Sequence, residues 1–501
     1  MEGNIAKMLF IGAAIMLVII FAASTMRRWC VPLVLFSLFA GVFFGSDVVH
    51  LVKFSDPAIA REIANFALIF VLFVGGYGTC KKKFKAVFAP ATVLATVGVI
   101  LTAAVTAGLF FLFFPAMGLP VAILIGCIIA STDAAAVFSI LRTRALEPRL
   151  SALVEVESAT NDPMAIVLTT VAVSLVADGG GMDGWPVGLV LDLIWKITGG
   201  ALAGLLVGWI ACRLSRYVAK LEMGYYYIFL MAIIWLSFGT AELVGASGVL
   251  SAFFAGFILG NANIPFKPTS THFFDSLSTM SNVMIFVLLG FLVKPSKFVS
   301  VFWEGVALFL IVTFIARPIA TAASTFFAKY GLKANIFLSW CGLRGAVPMV
   351  LATYPLAANI NDANRLFNII CVTVLLSMVI QGSTIAPLAD KFKLAGKARP
   401  RPKQVMELMT LHNSEVELVE IDIDDDVYTG SIPISSFELP DETAITMINR
   451  NDKIVVPTGQ TEVVAGDILY VLVKVGQEDA VATEIYNHFE LCSETGAATA
   501  V

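Results

Sequence analysis

Near residue 160, an otherwise apolar stretch gathers Glu155, Glu157, Ser158, Asn161 and Asp162, followed at once by Pro163. Glu157 and Asn161 are four residues apart, as are Ser158 and Asp162, so on a helix they form two adjacent stripes of one polar face. Pro163 has no N–H to give, and its ring opposes the carbonyl of Ala159, leaving that oxygen free for an ion or a water. The set offers hard oxygen ligands and no histidine, which suits an alkali cation rather than a soft metal. A carboxylate removed from water holds its proton more tightly, and a bound cation loosens it again. Asp162 is therefore the residue expected to alternate between proton and alkali cation, and one such site is all that exchange requires.

Few other polar groups interrupt the apolar sequence. Each ionisable one within a membrane span costs about 2.5–3.5 kcal/mol and needs a reason to be there. They are Ser131-Thr132-Asp133, Arg317-Pro318 and Gly342-Leu-Arg344-Gly-Ala-Val-Pro348. Glu157 with Arg317 and Asp133 with Arg344 is one pairing that would neutralise them, taken here as a hypothesis, and an acid paired permanently with an arginine is architecture rather than transport. Glu155, toward the cytoplasmic end, would draw cations in. Asp192 and Lys196 sit four apart and can pair with each other, while Glu242 and Glu304 fall near helix ends with access to water. Ser-Thr-Asp133 and Gly-x-Arg344-Gly each break an apolar span near its centre. Seven spans apart and of opposite topology, they fit the discontinuous helices of an inverted repeat, with Asp133 and Arg344 balancing the exposed helix-end dipoles.

The elements that position these residues follow from composition. The chain is 58% hydrophobic and only 14% charged, a balance that excludes an ordinary soluble domain and points to a bilayer. Apolar runs long enough for a hydrocarbon core of about 30 Å predict thirteen transmembrane helices, at approximately 8–25, 30–48, 62–79, 87–114, 117–141, 149–177, 186–212, 222–243, 247–261, 272–293, 299–328, 334–357 and 365–391. Arg27/Arg28, the lysines at 81–85, Arg142/Arg144/Arg149, Arg213/Arg216/Lys220, Lys267 and Lys329/Lys333 fall in alternate loops. The positive-inside rule makes those loops cytoplasmic, with the N-terminus periplasmic and the C-terminus inside. That arrangement requires an odd number of spans. The seven cysteines have no metal-ligand spacing and suggest no disulfide framework.

The fold class expected is an all-α polytopic membrane domain over 1–393, followed by a basic linker at 394–403. A small α+β cytoplasmic domain over 404–490 and a disordered tail at 491–501 complete the chain. Val416–Asp424 alternates as a half-buried strand does, and Ala444–Ile448, Lys453–Val456 and Asp467–Lys474 are further strands before a closing helix at Gln477–Phe489.

Ser-Thr-Asp133 in span five, Glu157-Ser-x-x-Asn-Asp162 in span six and Gly-Leu-Arg344-Gly-Ala in span twelve resemble the cation/proton antiporter superfamily. More narrowly they resemble its NhaP-type branch, which carries Asn-Asp where the electrogenic branch carries Asp-Asp. The resemblance implies a homodimer whose moving core works by elevator-like alternating access, with one-for-one, electroneutral exchange and no cofactor. It maps the ion and proton site onto Asp162, Glu157, Ser158 and Thr132, and the structural network onto Asp133, Asn161, Arg317 and Arg344. The segment after 404 is similar to a TrkA C-terminal (RCK C) domain without its nucleotide-binding half. That implies a small regulatory ligand, for which Arg450 and Asn449 are the candidate contacts, and tilts the cargo toward K⁺ over Na⁺. The expected setting is a bacterial inner membrane, with lipid, cations and protons as partners and no nucleic acid.

A sodium-preferring exchanger is the alternative within the class. A gated channel would need repeated filter loops, and Val74-Gly-Gly-Tyr-Gly78 occurs once, beside a lysine run and without a pore helix. A membrane enzyme would need a nucleophile–base pair, metal ligands or a cofactor motif, none of which the sequence offers.

Overall fold

The computed structural model describes residues 2–25, 33–50, 54, 56–141, 144–177, 187–328, 330–397, 405–406, 416–423, 428–450, 453–474 and 477–491. Arg27, Arg28, Arg142, Lys329, Cys30, Cys492, most of the expected linker and nearly all of the expected tail lie outside these residues. The chain forms two compact units, Met1–Gly396 and Lys397–Val501.

The first unit is helical. In chain order its helices are α1 (Glu2–Thr25), α2 (Leu33–Phe44), α3 (Pro57–Gly78), α4 (Lys81–Val93), α5 (Val99–Phe113), α6 (Leu119–Ile128), α7 (Ala134–Ile140), α8 (Pro148–Ala177), α9 (Val187–Val218) and α10 (Met223–Leu243). They continue with α11 (Gly248–Asn261), α12 (Lys267–Leu292), α13 (Phe298–Ile311), α14 (Arg317–Thr325), α15 (Leu332–Trp340), α16 (Ala346–Leu351), α17 (Thr353–Ala357), α18 (Ala363–Leu376) and α19 (Gly382–Phe392). Among the described residues, eight helices are long and apolar enough to cross a membrane, and five shorter apolar helices accompany them. Large apolar side chains such as Leu17, Phe21, Leu202 and Trp303 are exposed, as a surface solvated by lipid requires and a water-facing one would not tolerate.

Local chemistry sets the helix starts. Asp56 caps α3 by accepting from the amides of Ala58 (2.9 Å) and Ile59 (3.2 Å), with Pro57 at the first helical position. Ser247 accepts from Leu250 N (3.3 Å) to start α11. At Gly256 and Gly260 of α11, a Cβ would run into the α3 backbone at Phe73 and Tyr77, so only glycine lets these two helices lie so close. One core joins α3, α9, α10, α11 and α12 through Phe73, Ala211, Leu230, Ala255 and Phe274. A second joins α7, α8, α15 and α19 through Val137, Leu153, Leu338 and Ile385.

Three runs read from sequence as continuous helices each contain a wide π turn: Leu94–Gly98 between α4 and α5, Val312–Ala316 between α13 and α14, and Ser377–Gln381 between α18 and α19. Each adds one residue to a turn and re-aims everything beyond it.

The second unit is built on an antiparallel sheet in the order Val405–Met406, Val416–Asp422, Ile468–Lys474, Ala444–Arg450, Lys453–Val455. Val471 sits opposite Val419 on one side and Ile445 on the other. The helix Glu478–Asn487 lays Val481 and Ile485 on the buried face formed by Val419, Ile421, Leu469, Val471 and Val473.

Candidate ion site at two broken helices

The sequence breaks both spans where it stops supplying helix formers. After α6 the chain runs non-helically to Asp133 before α7 begins, and after α15 it does the same through Gly345 before α16. The two breaks touch. Asp133 N donates to Leu343 O at 2.8 Å, and a Cβ on Gly345 would collide with the Asp133 carboxylate. Glycine at 345 is what allows the approach. Asp133 also starts α7, its Oδ1 accepting from Ala136 N at 3.0 Å.

Helix α8 passes beside the crossing and satisfies the unwound backbone. Ser158 Oγ accepts from Ala134 N (3.0 Å) and donates to Thr132 O (2.8 Å). Asn161 Nδ2 donates to Thr132 Oγ1 at 2.6 Å, while its Oδ1 accepts from Thr132 N at 3.4 Å. Ser158 and Asn161 therefore hold the Ser131–Asp133 bend, and the Ser158 oxygen keeps a second lone pair. The helix runs through Pro163 without ending, so the carbonyl of Ala159 has no proline N–H to bond.

The charged residues divide into two groups. Arg317 Nη2 donates to Glu157 Oε1 at 2.5 Å, and both side chains are 3% exposed. Arg344, 1% exposed, gives its Nη1 to the carbonyls of Ala130 (2.9 Å) and Ser131. The expected Asp133–Arg344 pairing is thus not the contact made: the arginine neutralises the carbonyl end of the first break, and the aspartate caps the helix after it. Both do so as charges placed on helix-end dipoles.

Asp162 lies one turn along α8 from Ser158, and its charged neighbours are Asp133, Glu157 and Arg344. Its Oδ1 is buried without a hydrogen-bond partner, and so are Ser131 Oγ, Arg317 Nε, and Nε and Nη2 of Arg344. Buried polar atoms are nearly always paired in native proteins. Orphaned oxygens of Asp162 and Ser131 beside Thr132 are donors of the kind an alkali cation takes. Glu155 is half-buried on the same helix, two residues from Glu157.

Sequence reasoning missed Ser377 and Gln381. Ser377 Oγ accepts from Arg344 N (3.1 Å) and donates to Gln381 Oε1 (2.5 Å), and Gln381 Nε2 donates to Trp340 O (3.2 Å). The signal was there as two polar residues inside an apolar span. Glu304, expected to reach water, is instead 8% exposed and accepts from Arg365. The Asp192–Lys196 pair forms, at 2.9 Å.

In the second unit Arg450 grips the buried Asp467 with both ends of its fork, Nε to Oδ1 and Nη2 to Oδ2 at 2.7 Å each, and also donates to Glu462 O. Its Nε and Nη2 are thus bonded to protein, and the side chain is one-third exposed. Asn449 Oδ1 is buried and unpartnered.

Two broken helices meeting beside a buried carboxylate, inside a polytopic apolar bundle, define a secondary-transporter fold. Residues 12–391 match the family model described as sodium/hydrogen exchanger, transmembrane. The chain is 32% identical over 493 residues to the K(+)/H(+) antiporter NhaP2 of Shewanella oneidensis, covering 98% of this chain and 85% of that one. It is 35% identical over 422 residues to the K(+)/H(+) antiporter NhaP of Alkalimonas amylolytica, covering 83% and 72%. Its fold is like that of the sodium proton antiporter MjNhaP1 from Methanocaldococcus jannaschii, with a TM-score of 0.66 and 24% identity over 78% of this chain and 99% of that one. The chain belongs to the sodium/hydrogen exchanger family, and within it to the NhaP-type cation/proton antiporters.

Proposed function

We propose that this chain is a secondary active antiporter that exchanges K⁺ for H⁺ across a bacterial inner membrane, with Na⁺ as the alternative cargo. The observation that carries the reading is the Asp162 carboxylate, whose buried Oδ1 has no protein partner beside the Thr132 bend. Protonated, or holding one monovalent cation, Asp162 leaves the site with the same charge. One-for-one exchange on this single group is then electroneutral. Thr132 contributes oxygen ligands and Ser158 holds the bend that presents them. Glu157 with Arg317, and Asp133, Asn161 and Arg344, keep the site's geometry and charge constant while the cargo changes.

The same reading has the chain span the membrane thirteen times, with its N-terminus periplasmic and its C-terminal unit cytoplasmic. Two copies associate, and α4–α8 with α13–α19 move as one body against α1–α3 and α9–α12. Residues 404–490 are read as an RCK C regulatory domain. K⁺ stands first because the bacterial relatives named above carry it in their names.

The test is cation-driven proton flux in proteoliposomes, reported by a pH-sensitive dye for K⁺, Na⁺ and choline, with and without an imposed membrane potential. Flux driven by K⁺ and insensitive to the potential is the expected result. A larger Na⁺ response reassigns the cargo, a potential-dependent flux removes electroneutrality, and no flux with any cation between pH 6 and about pH 9 removes the reading.

A further inference from the structure

The π turn Ser377–Gln381 sits directly behind the second break, and its two polar side chains are 0% and 1% exposed. It grips that break at both ends. Gln381 Nε2 donates to Trp340 O, the last residue of α15, while Ser377 Oγ accepts from the amide of Arg344 near the far end of the break (3.1 Å). A 2.5 Å bond from Ser377 Oγ to Gln381 Oε1 joins the two grips. Trp340 Nε1 adds a third tie, to Thr384 Oγ1 at 2.9 Å.

The extra residue of the π turn shifts the phase of the helix by about 100°. Before it, α18 faces α13, where Thr373 Oγ1 donates to Gly305 O at 3.1 Å. After it, α19 faces α15 and α7. Packing alone would have been served by an uninterrupted apolar helix. What the irregular turn adds is a hydroxyl and an amide aimed at unwound backbone.

The consequence reaches the ion. Arg344 holds the carbonyls of Ala130 and Ser131, and Leu343 O accepts from Asp133 N, so the first break is hung on the second. A displacement of 341–345 moves Thr132 and the Arg344 guanidinium relative to Asp162. We propose that Ser377 and Gln381 are positioning residues of the ion site, acting through Arg344 to set cation affinity without touching the cation. The proposal rests on the exchange reading above.

The test measures KM for K⁺ and maximal rate of proteoliposome exchange, with melting temperature in K⁺ and in choline, for wild type, Ser377→Ala, Ser377→Thr, Gln381→Ala and Gln381→Glu. Losing one buried hydrogen bond at the break should raise KM about five- to tenfold in the alanine variants, with the maximal rate within about twofold of wild type. The K⁺-induced rise in melting temperature should shrink in parallel, and Ser377→Thr, which restores the hydroxyl, should return KM to the wild-type value. If Ser377→Ala does not fold, the Gln381 variants carry the test: Gln381→Ala removes the donor to Trp340 O without adding charge, and Gln381→Glu replaces that donor with a buried carboxyl. Unchanged KM in the folded variants overturns the proposal while exchange by wild type stands. So does a loss of rate and melting temperature at constant KM that threonine does not repair, which would make the turn a packing feature. A wild type that neither exchanges nor gains stability from K⁺ or Na⁺ overturns the exchange reading, and this proposal with it.

Discussion

Deleting one member of the Glu157–Arg317 pair should be among the most damaging single changes in the membrane unit. The two side chains meet at 2.5 Å and each is 3% exposed, so removing either strands the other as an uncompensated charge. Breaking such a buried pair costs roughly 3–5 kcal/mol, a large share of the total of about 5–15 kcal/mol that holds a typical domain folded. Replacing both partners by apolar residues of similar volume removes the stranded charge, and its cost should fall well below that of either single change. Glu157→Leu, Arg317→Met and the double variant, unfolded by denaturant in detergent micelles, form a double-mutant cycle. The coupling energy should exceed about 1 kcal/mol, with the double variant more stable than either single one. Exchange assays on the same three proteins sharpen the result. If Glu157 is architecture, the folded double variant still exchanges, whereas a proton-carrying Glu157 would leave it inert. Single variants as stable as wild type would refute the assignment of this pair as the structural neutraliser of α8.

Gly345→Ala pushes a methyl group into the Asp133 carboxylate, so it should destabilise the protein by about 1–3 kcal/mol and depress exchange, read by melting temperature and dye response. Arg450→Ala leaves Asp467, whose side chain is fully buried, without its bidentate partner. The expected loss is about 2 kcal/mol, discounted because Arg450 is one-third exposed, and hydrogen exchange should speed up in strands Ala444–Arg450 and Ile468–Lys474 while the membrane helices stay unchanged. Tyr354 OH donates to Asn65 Oδ1 at 3.0 Å, tying α17 to α3, which the elevator reading places in different bodies. Tyr354→Phe should change the maximal exchange rate by about fivefold and leave KM for the cation in place.

The sequence exposes a membrane site unusually well because polar residues are costly there. Asp133, Glu157, Asp162, Arg317 and Arg344 stand out against apolar runs, and the need to neutralise them calls for acid–arginine pairs, of which Glu157–Arg317 is the one formed. The same reasoning fails for Arg344, because its partners are the carbonyls of Ala130 and Ser131, and backbone groups carry no signature in side-chain type. Ser158 reads as an ion ligand from its helical stripe, and geometry adds what the sequence does not show, that its hydroxyl also bonds Thr132 O and Ala134 N. The breaks at 129–133 and 341–345 were legible from Ser-Thr-Asp and Gly-x-Arg-Gly. The π turns were not, since one added residue per turn leaves hydropathy unchanged. Ser377 and Gln381 are visible as polar residues in an apolar span, but being uncharged they carry no mark of which backbone groups they hold. In the second unit, the near-alternation of Val416–Asp422 points to a half-buried strand, whereas Ile468–Lys474 is apolar almost throughout and only the structure shows every second residue buried.

The central claim is that a single carboxylate holds either the proton or the cation. The most direct measurement compares wild type with Asp162→Asn in proteoliposomes, after confirming by melting temperature that the isosteric variant is folded. Wild type should dequench the pH dye on addition of K⁺ and Asp162→Asn should give no response at any pH, since the amide can neither ionise nor neutralise a cation. A folded Asp162→Asn protein that exchanges at the wild-type rate would make Asp162 a packing residue and contradict the account.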